Sequence, residues 1–225
     1  MRAFHDRHAD VGCVVEVTRH PYSFLGDDRR ARESSGLRDG TWHEGLINYA
    51  GGTEEAALRF EEGLSELGQK VGIAFDFDVF TQWQPVDSQR LLKWCGRWGK
   101  QEEFMEELNK GHFQQRRSAS ERASLLAAVD KVGLDRAEAE AFLDTDEGVD
   151  AVWKSYGDTI KRHHIHAIPY LVFNLAGVTN GGPFRSAGNR AGEVTINGSA
   201  SPEEFLDVLD HFQDLSQRKR SSAAL

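Results

Sequence analysis

The chain has 225 residues and a mass of 25.2 kDa, enough for one well-cored domain with an inserted subdomain. Hydrophobic residues make up 39% and aromatics 10%, with five Trp and thirteen Phe, which excludes a chain too polar to order itself. The formal net charge of −9 repels phosphate backbones and anionic headgroups, so neither nucleic acid nor a membrane is an expected partner.

Residues 1–10 are polar and charged, without the apolar core of a signal peptide, and no stretch approaches the ~20 apolar residues of a membrane span. A soluble, cytoplasmic protein is the expectation, unless an upstream extension adds a targeting signal. The two cysteines, Cys13 and Cys95, are too far apart for Cys-x-x-Cys chemistry and too few for a four-Cys metal site. Two free thiols fit a reducing compartment.

Residues 13–17 are β-branched and predict a strand, followed by a Pro-led loop at His20-Pro21-Tyr22. Residues 26–45, rich in Asp, Arg, Ser and Gly, predict a surface loop. Residues 54–71 predict an amphipathic helix whose buried face carries Ala57, Phe60, Leu64, Leu67 and Val71, with Gly72 at its stop. The middle of the chain is helical: residues 87–98 with Leu91, Leu92, Trp94, Cys95 and Trp98 on one face, then residues 101–113 with Phe104, Met105 and Leu108. A helix carrying Leu125, Leu126 and Val129 follows and is closed by Gly133. Asp135 predicts an N-cap for residues 136–143, with Glu138 at the capping-box position. Residues 146–163 predict one more helix. Together these form a compact helical subdomain.

Residues 169–173 and 193–198 predict two strands, separated by a Gly-rich excursion over 177–192. Ser201 and Pro202 are placed as N-cap and first residue of a closing helix, which buries Phe205, Leu206, Leu209 and Phe212. The order is strand, helices, strand, strand, helix: a mixed α/β domain with a helical insertion.

Three segments carry a resemblance. They are Val14-Val15-Glu16-Val17-Thr18-Arg19-His20-Pro21-Tyr22; Gly72-Ile73-Ala74-Phe75-Asp76-Phe77 with Asp87-Ser88-Gln89-Arg90-Leu91-Leu92; and Ile165-His166-Ala167-Ile168-Pro169-Tyr170-Leu171-Val172-Phe173 with Ile196-Asn197-Gly198-Ser199 and Ser201-Pro202-Glu203-Glu204-Phe205. In order and spacing these resemble the DsbA-like thioredoxin family, in particular its cytoplasmic branch, which is related to 2-hydroxychromene-2-carboxylate isomerases and kappa-class glutathione transferases. The resemblance implies a single α/β, thioredoxin-like domain over residues 1–225, with the helical insertion at about 87–163 and the thioredoxin-type C-terminal half at about 164–215. It also implies a cis peptide before Pro169, so that the backbone of Ile168 pairs with an extended substrate segment. Ile168 and Pro169 are therefore the expected substrate-binding residues.

The family's first strand and its Cys-x-x-Cys at the first helix start have no counterpart here. Cys13 falls in the strand that follows and Cys95 on a helical core face, so both are expected as buried structural thiols, and no residue is assigned a catalytic role. The missing strand leaves a gap at the centre of the implied sheet. A truncated gene product, re-paired strands or a second polypeptide would each account for it.

The expectation is a protein of thiol–disulfide oxidoreductase descent, catalytically incomplete as written, acting on a protein or peptide thiol or disulfide. No cofactor is expected. The alternatives are a glutathione-dependent isomerase or transferase relative, taking a small electrophile with glutathione bound, and a non-catalytic module that holds a peptide or partner; a homodimer is compatible with each. His163-His164-x-His166 reads as a charged helix end rather than a metal site, because adjacent histidines point apart and no Cys or carboxylate supports them. Gly181-Gly182-Pro183-Phe184-Arg185 lacks the Lys-Ser/Thr of a phosphate loop. Asp76 and Asp78 read as solvated loop acids.

Overall fold

The computed structural model describes Phe4 and residues 14–30, 39–175 and 194–223. The backbone forms two compact units, one of residues 19–158 and one of residues 1–18 with 159–225. The predicted Gly-rich excursion and Cys13 lie outside the described residues.

The unit of residues 19–158 opens with a short antiparallel ladder, β1 (Gly40–Thr41) against β2 (Phe80–Thr81), with Thr41 opposite Phe80. Thr41 also caps α1 (Trp42–Tyr49). Its hydroxyl accepts from the Glu44 N–H at 3.1 Å, and its own N–H donates to the Glu44 carboxylate at 2.8 Å. This reciprocal box satisfies two of the helix's orphan donors. This helix begins inside residues 26–45, where the composition predicts a surface loop, and corrects that expectation. Trp42, on its first turn, stacks among Phe75, Phe77 and Phe113 at centroid distances of 5.6, 4.6 and 5.2 Å.

α2 (Glu54–Lys70) is capped by the Thr53 hydroxyl. Its predicted apolar face is only half covered. Ala57 is buried, while Phe60, Leu67 and Val71 are 40%, 61% and 72% exposed. Then come α3 (Val86–Cys95), a 3-10 turn (Gly96–Trp98), α4 (Gln101–Gln115), α5 (Arg122–Lys131), α6 (Arg136–Leu143) and α7 (Val149–Lys161). Leu91, Leu92, Trp94 and Cys95 of α3 pack with Phe104 and Leu108 of α4, Leu125, Leu126 and Val129 of α5, and Phe142 and Leu143 of α6. These side chains recur every three or four residues, so each helix presents one continuous stripe. Trp98 lies on the rim rather than in this core, 45% exposed, with its ring 4.4 Å from Trp94. Between α5 and α6, Gly133 adopts φ +76°, a left-handed turn that lets the chain reverse. The Asp135 carboxylate then accepts from the Glu138 N–H at 2.9 Å and starts α6 as predicted.

Residues 14–17 do not form a strand. Val14 is 88% exposed and Val17 46%, and no described strand pairs with them. β-branched composition favours a pleated conformation, but a strand persists only where its backbone groups are paired.

In the second unit β3 (Tyr170–Phe173) runs antiparallel to β4 (Val194–Asn197), with Tyr170 opposite Asn197 and Phe173 opposite Val194. α8 (Pro202–Ala223) follows. The Ser201 hydroxyl accepts from the Glu204 N–H at 3.2 Å and the Glu204 carboxylate accepts from the Ser201 N–H at 2.7 Å, so the predicted start is closed by a full capping box. Phe173 meets Phe205 and Phe212 of α8 at 6.1 and 6.5 Å. Phe212 is buried, whereas Phe205, Leu206 and Leu209 are half-buried. No helix among the described residues is long and apolar enough to cross a membrane.

Candidate functional site

α7 ends at Lys161, two residues before the predicted end, and His164 turns the chain with φ +54°. Ile165 then anchors the loop. It is 6% exposed, and its N–H donates to the Thr159 carbonyl at 3.0 Å. Beyond this anchor the chain surfaces: His166, Ala167, Ile168 and Pro169 are all exposed, Ile168 by 48%. The Ile168–Pro169 peptide is cis.

From Pro169 onward the backbone is held again. Its carbonyl accepts from the Gly198 N–H at 2.8 Å, and Tyr170 enters the ladder with β4. The predicted residues Ile168 and Pro169 thus sit together at the head of β3, between a buried anchor and a paired strand. Among the described residues, neither the N–H nor the C=O of Ile168 has a backbone partner. β3 pairs with β4 along one edge, and no described strand pairs with the other. A strand edge of this kind is a template for another extended segment.

No described thiol suits nucleophilic work. Cys95 is fully buried in the α3 face, as the sequence predicted, and burial pushes its thiol up to about 12. A thiol that stays protonated neither attacks a disulfide nor ligates a metal. His112 is buried too: its Nδ1 accepts from the Ala119 N–H at 3.2 Å, which puts the proton of the neutral ring on Nε2, and burial pulls its pKa down. The Tyr156 hydroxyl donates to the Pro85 carbonyl at 3.1 Å, and burial holds it above its ordinary value. His112 and Tyr156 thus each complete a part-buried hydrogen bond to the backbone.

His164 and His166 are exposed and His163 half-exposed. Among the described residues no group of three His, Cys, Asp or Glu side chains could hold a metal ion. Asp76 and Asp78 are not simply solvated. Arg116, at the C-terminal end of α4, reaches both, with Nε 2.6 Å from Asp76 and a terminal nitrogen 2.8 Å from Asp78. Arg90 is the charged group whose role the sequence concealed. Its side chain is 3% exposed and donates to the backbone carbonyls of Phe142, Thr145 and Glu147 and to the Asp87 carboxylate. A cavity of about 200 Å³ beside it is lined by Lys93, Trp94, Arg97 and Glu147, with Arg97 paired to Glu147. The Asp87-x-x-Arg90 spacing was the available signal: a charge on an otherwise apolar helix face, beside a carboxylate at i−3.

Among curated proteins none matches the sequence. The family model described as the DSBA-like thioredoxin domain matches residues 13–209, the span that contains the Ile168–Pro169 bend, the β3–β4 ladder and every helix from α1 to α7. The chain therefore belongs to the DSBA-like thioredoxin domain family, a thiol–disulfide oxidoreductase-related family of α/β, thioredoxin-like fold with inserted helices.

Proposed function

We propose that this chain is a cytoplasmic, substrate-holding member of its family: it grips an extended segment of a thiol- or disulfide-bearing protein at Ile168, Pro169 and the open edge of β3, and carries no redox pair of its own. One observation supports this most. Ile168 is exposed, and its N–H and C=O have no backbone partner among the described residues, at the point where a strand begins. An added strand would use them for main-chain hydrogen bonds, giving affinity with little dependence on side-chain sequence. Each such bond contributes about 0.5–1.5 kcal/mol net, so a few of them hold a peptide in the millimolar range. The complex would be transient.

The second half of the reading rests on the cysteines. Cys13 and Cys95 do not form a Cys-x-x-Cys, and the Cys95 thiol is buried and protonated. A disulfide-reduction assay should give the same rate for this chain and for its Cys13→Ser/Cys95→Ser variant. Activity that the double variant loses overturns the redox part. For the binding part, backbone amide spectra are followed during titration with an unstructured peptide. Shifts at Ile168 and Tyr170–Phe173 are expected, and shifts confined to other residues refute the site. Retention on immobilised glutathione would replace this reading with that of a glutathione-dependent relative.

A further inference from the structure

α2 contains two glycines in its second half, and the fold has a use for only one. A Cβ on Gly68 would lie 2.6 Å from the Ile73 carbonyl oxygen and under 3 Å from the Phe75 ring, so a side chain there would force the helix away from the segment it packs on. A Cβ on Gly63 would meet nothing within 4 Å. Glycine inside a helix is unfavourable relative to alanine because it costs backbone entropy. Nothing inside this unit repays that cost at Gly63.

The surroundings of Gly63 are apolar and uncovered. Phe60 and Leu67, at i−3 and i+4, flank it on the same side of the helix, 40% and 61% exposed. Tyr49 of α1, 71% exposed, extends the patch with its ring edge-on to Phe60 at 5.5 Å. Exposed apolar groups this concentrated mark a contact surface. A bare helix backbone between two large apolar side chains is the shape that accepts a second helix at close range.

The charges beside the patch say which helix. Arg59, Glu66 and Lys70 line one flank of it; Arg59 bonds Glu55 within the helix at 2.6 Å, while Glu66 and Lys70 have no ion-pair partner among the described residues. We propose that α2 pairs antiparallel with α2 of a second copy of this chain, about a two-fold axis beside Gly63. In an antiparallel pair, positions before the axis face positions equally far beyond it, and like flanks meet. With the axis between Glu62 and Gly63, Arg59 faces the second copy's Glu66 and Lys70 faces the second copy's Glu55, while Phe60 and Leu67 of each copy pack on the other copy's helix to either side of the axis. The pattern complements itself only in this orientation. A parallel pairing would set each flank against the opposite one and leave Arg59 and Glu66 apart.

Sedimentation equilibrium of the full chain tests this, with circular dichroism as the control for folding. The native chain is expected to be a dimer whose mass falls on dilution. Gly63→Lys meets open space within the monomer and keeps its helicity, but brings two lysines together on the axis, and should be monomeric. Glu66→Arg sets like charges against each other in two symmetry-related places and should raise the dissociation constant roughly tenfold or more. Arg59→Glu combined with Glu66→Arg reverses both members of each pair and should restore the native value. A native chain that stays monomeric up to its solubility limit overturns the proposal, whatever other partner the patch then serves. So does a dimer unaffected by Gly63→Lys and Glu66→Arg.

Discussion

Replacing Arg90 by Met is the sharpest test of how the helical unit is held together. The guanidinium lies on the α3 face, its carbon 5.0 Å above the Phe142 ring, and closes the turn after α6. Nε donates to the Glu147 carbonyl at 2.7 Å, one terminal nitrogen to the carbonyls of Phe142, at 3.2 Å, and Thr145, and the other to Asp87 at 2.7 Å. Met preserves most of the side chain's volume and its contact with Phe142 and removes only the donors. Hydrogen bonds from a charged donor are worth about 1.5–3 kcal/mol each. The full loss is not expected, because Thr145 and Glu147 are exposed, so water reaches their carbonyls once the arginine is gone. Phe142 is buried, yet its carbonyl keeps the Thr145 N–H and hydroxyl as donors, at 3.1 and 2.8 Å. The net destabilisation works out at about 3 kcal/mol. Arg90→Lys retains the charge but places one compact donor where a planar fork serves three carbonyls, so it should recover less than half of this. Urea titration followed by the fluorescence of Trp94, which is buried beside Phe142, reads the effect as a fall in midpoint of about 1–2 M for Met. A Lys variant as stable as the native chain would refute the claim that fork geometry, rather than charge, closes this turn.

His43 sits between two carboxylates, its Nδ1 2.5 Å from Glu61 and its Nε2 3.0 Å from Glu54, and the hydrogen bond to Glu61 raises its pKa above 6.5. Stability from a raised histidine is fully present below about pH 6.5 and is lost as pH rises through the folded-state value. His43→Gln should therefore lower the melting temperature in mildly acidic buffer and leave it unchanged in alkali; an equal loss at both ends of the range would show that packing, not charge, is what the ring supplies. Cys95, examined in a Cys13→Ser background, should resist iodoacetamide in the native state and react fully in denaturant, since its thiol is buried and stays protonated; native-state labelling at the rate of a free thiol would contradict its burial. Asp135→Ala removes the cap on α6 and should cost about 1 kcal/mol in denaturant unfolding, with Asp135→Asn recovering most of it; no loss in the Ala variant would mean that α6 is held by its packing alone.

The helices were legible because their signals are local. Asp135 three residues before Glu138, Ser201 before Pro202, and apolar residues at three- and four-residue steps are properties of a short window, and the structure places α6 and α8 where those windows put them. α1 has an equally local signal, Thr41 three residues before Glu44, but it lies beside a stretch of Asp, Arg, Ser and Gly whose composition outweighed it. Two other expectations failed for a non-local reason. Periodicity correctly made α2 amphipathic, but a stripe of Phe60, Leu67 and Val71 says only that something apolar should cover it, and within the chain it is left exposed. Val14 to Val17 has strand composition, and composition supplies no partner for the backbone.

The same division explains what could be read of the site. Side-chain chemistry leaves a mark in sequence, so the lack of a Cys-x-x-Cys and the core setting of Cys95 were plain at once. Arg116 holding Asp76 and Asp78 from 40 and 38 positions away, and Arg90 reaching carbonyls more than 50 positions distant, were not, since an acceptor made of backbone has no residue type to betray it. The Ile168 site is an extreme instance. The recognising atoms proposed there are one N–H and one C=O, which every residue but proline offers, and position alone makes them useful: on an exposed residue, without a backbone partner among the described residues, and between the Ile165 anchor and the β3–β4 ladder. Substituting Ile168 by another non-proline residue should therefore alter peptide binding little, whereas a substitution that releases the anchor, Ile165→Gly, should abolish it while β3 and β4 stay paired. If Ile168→Ala weakens binding as much as Ile165→Gly does, the side chain is the contact and the main-chain account of this site is wrong.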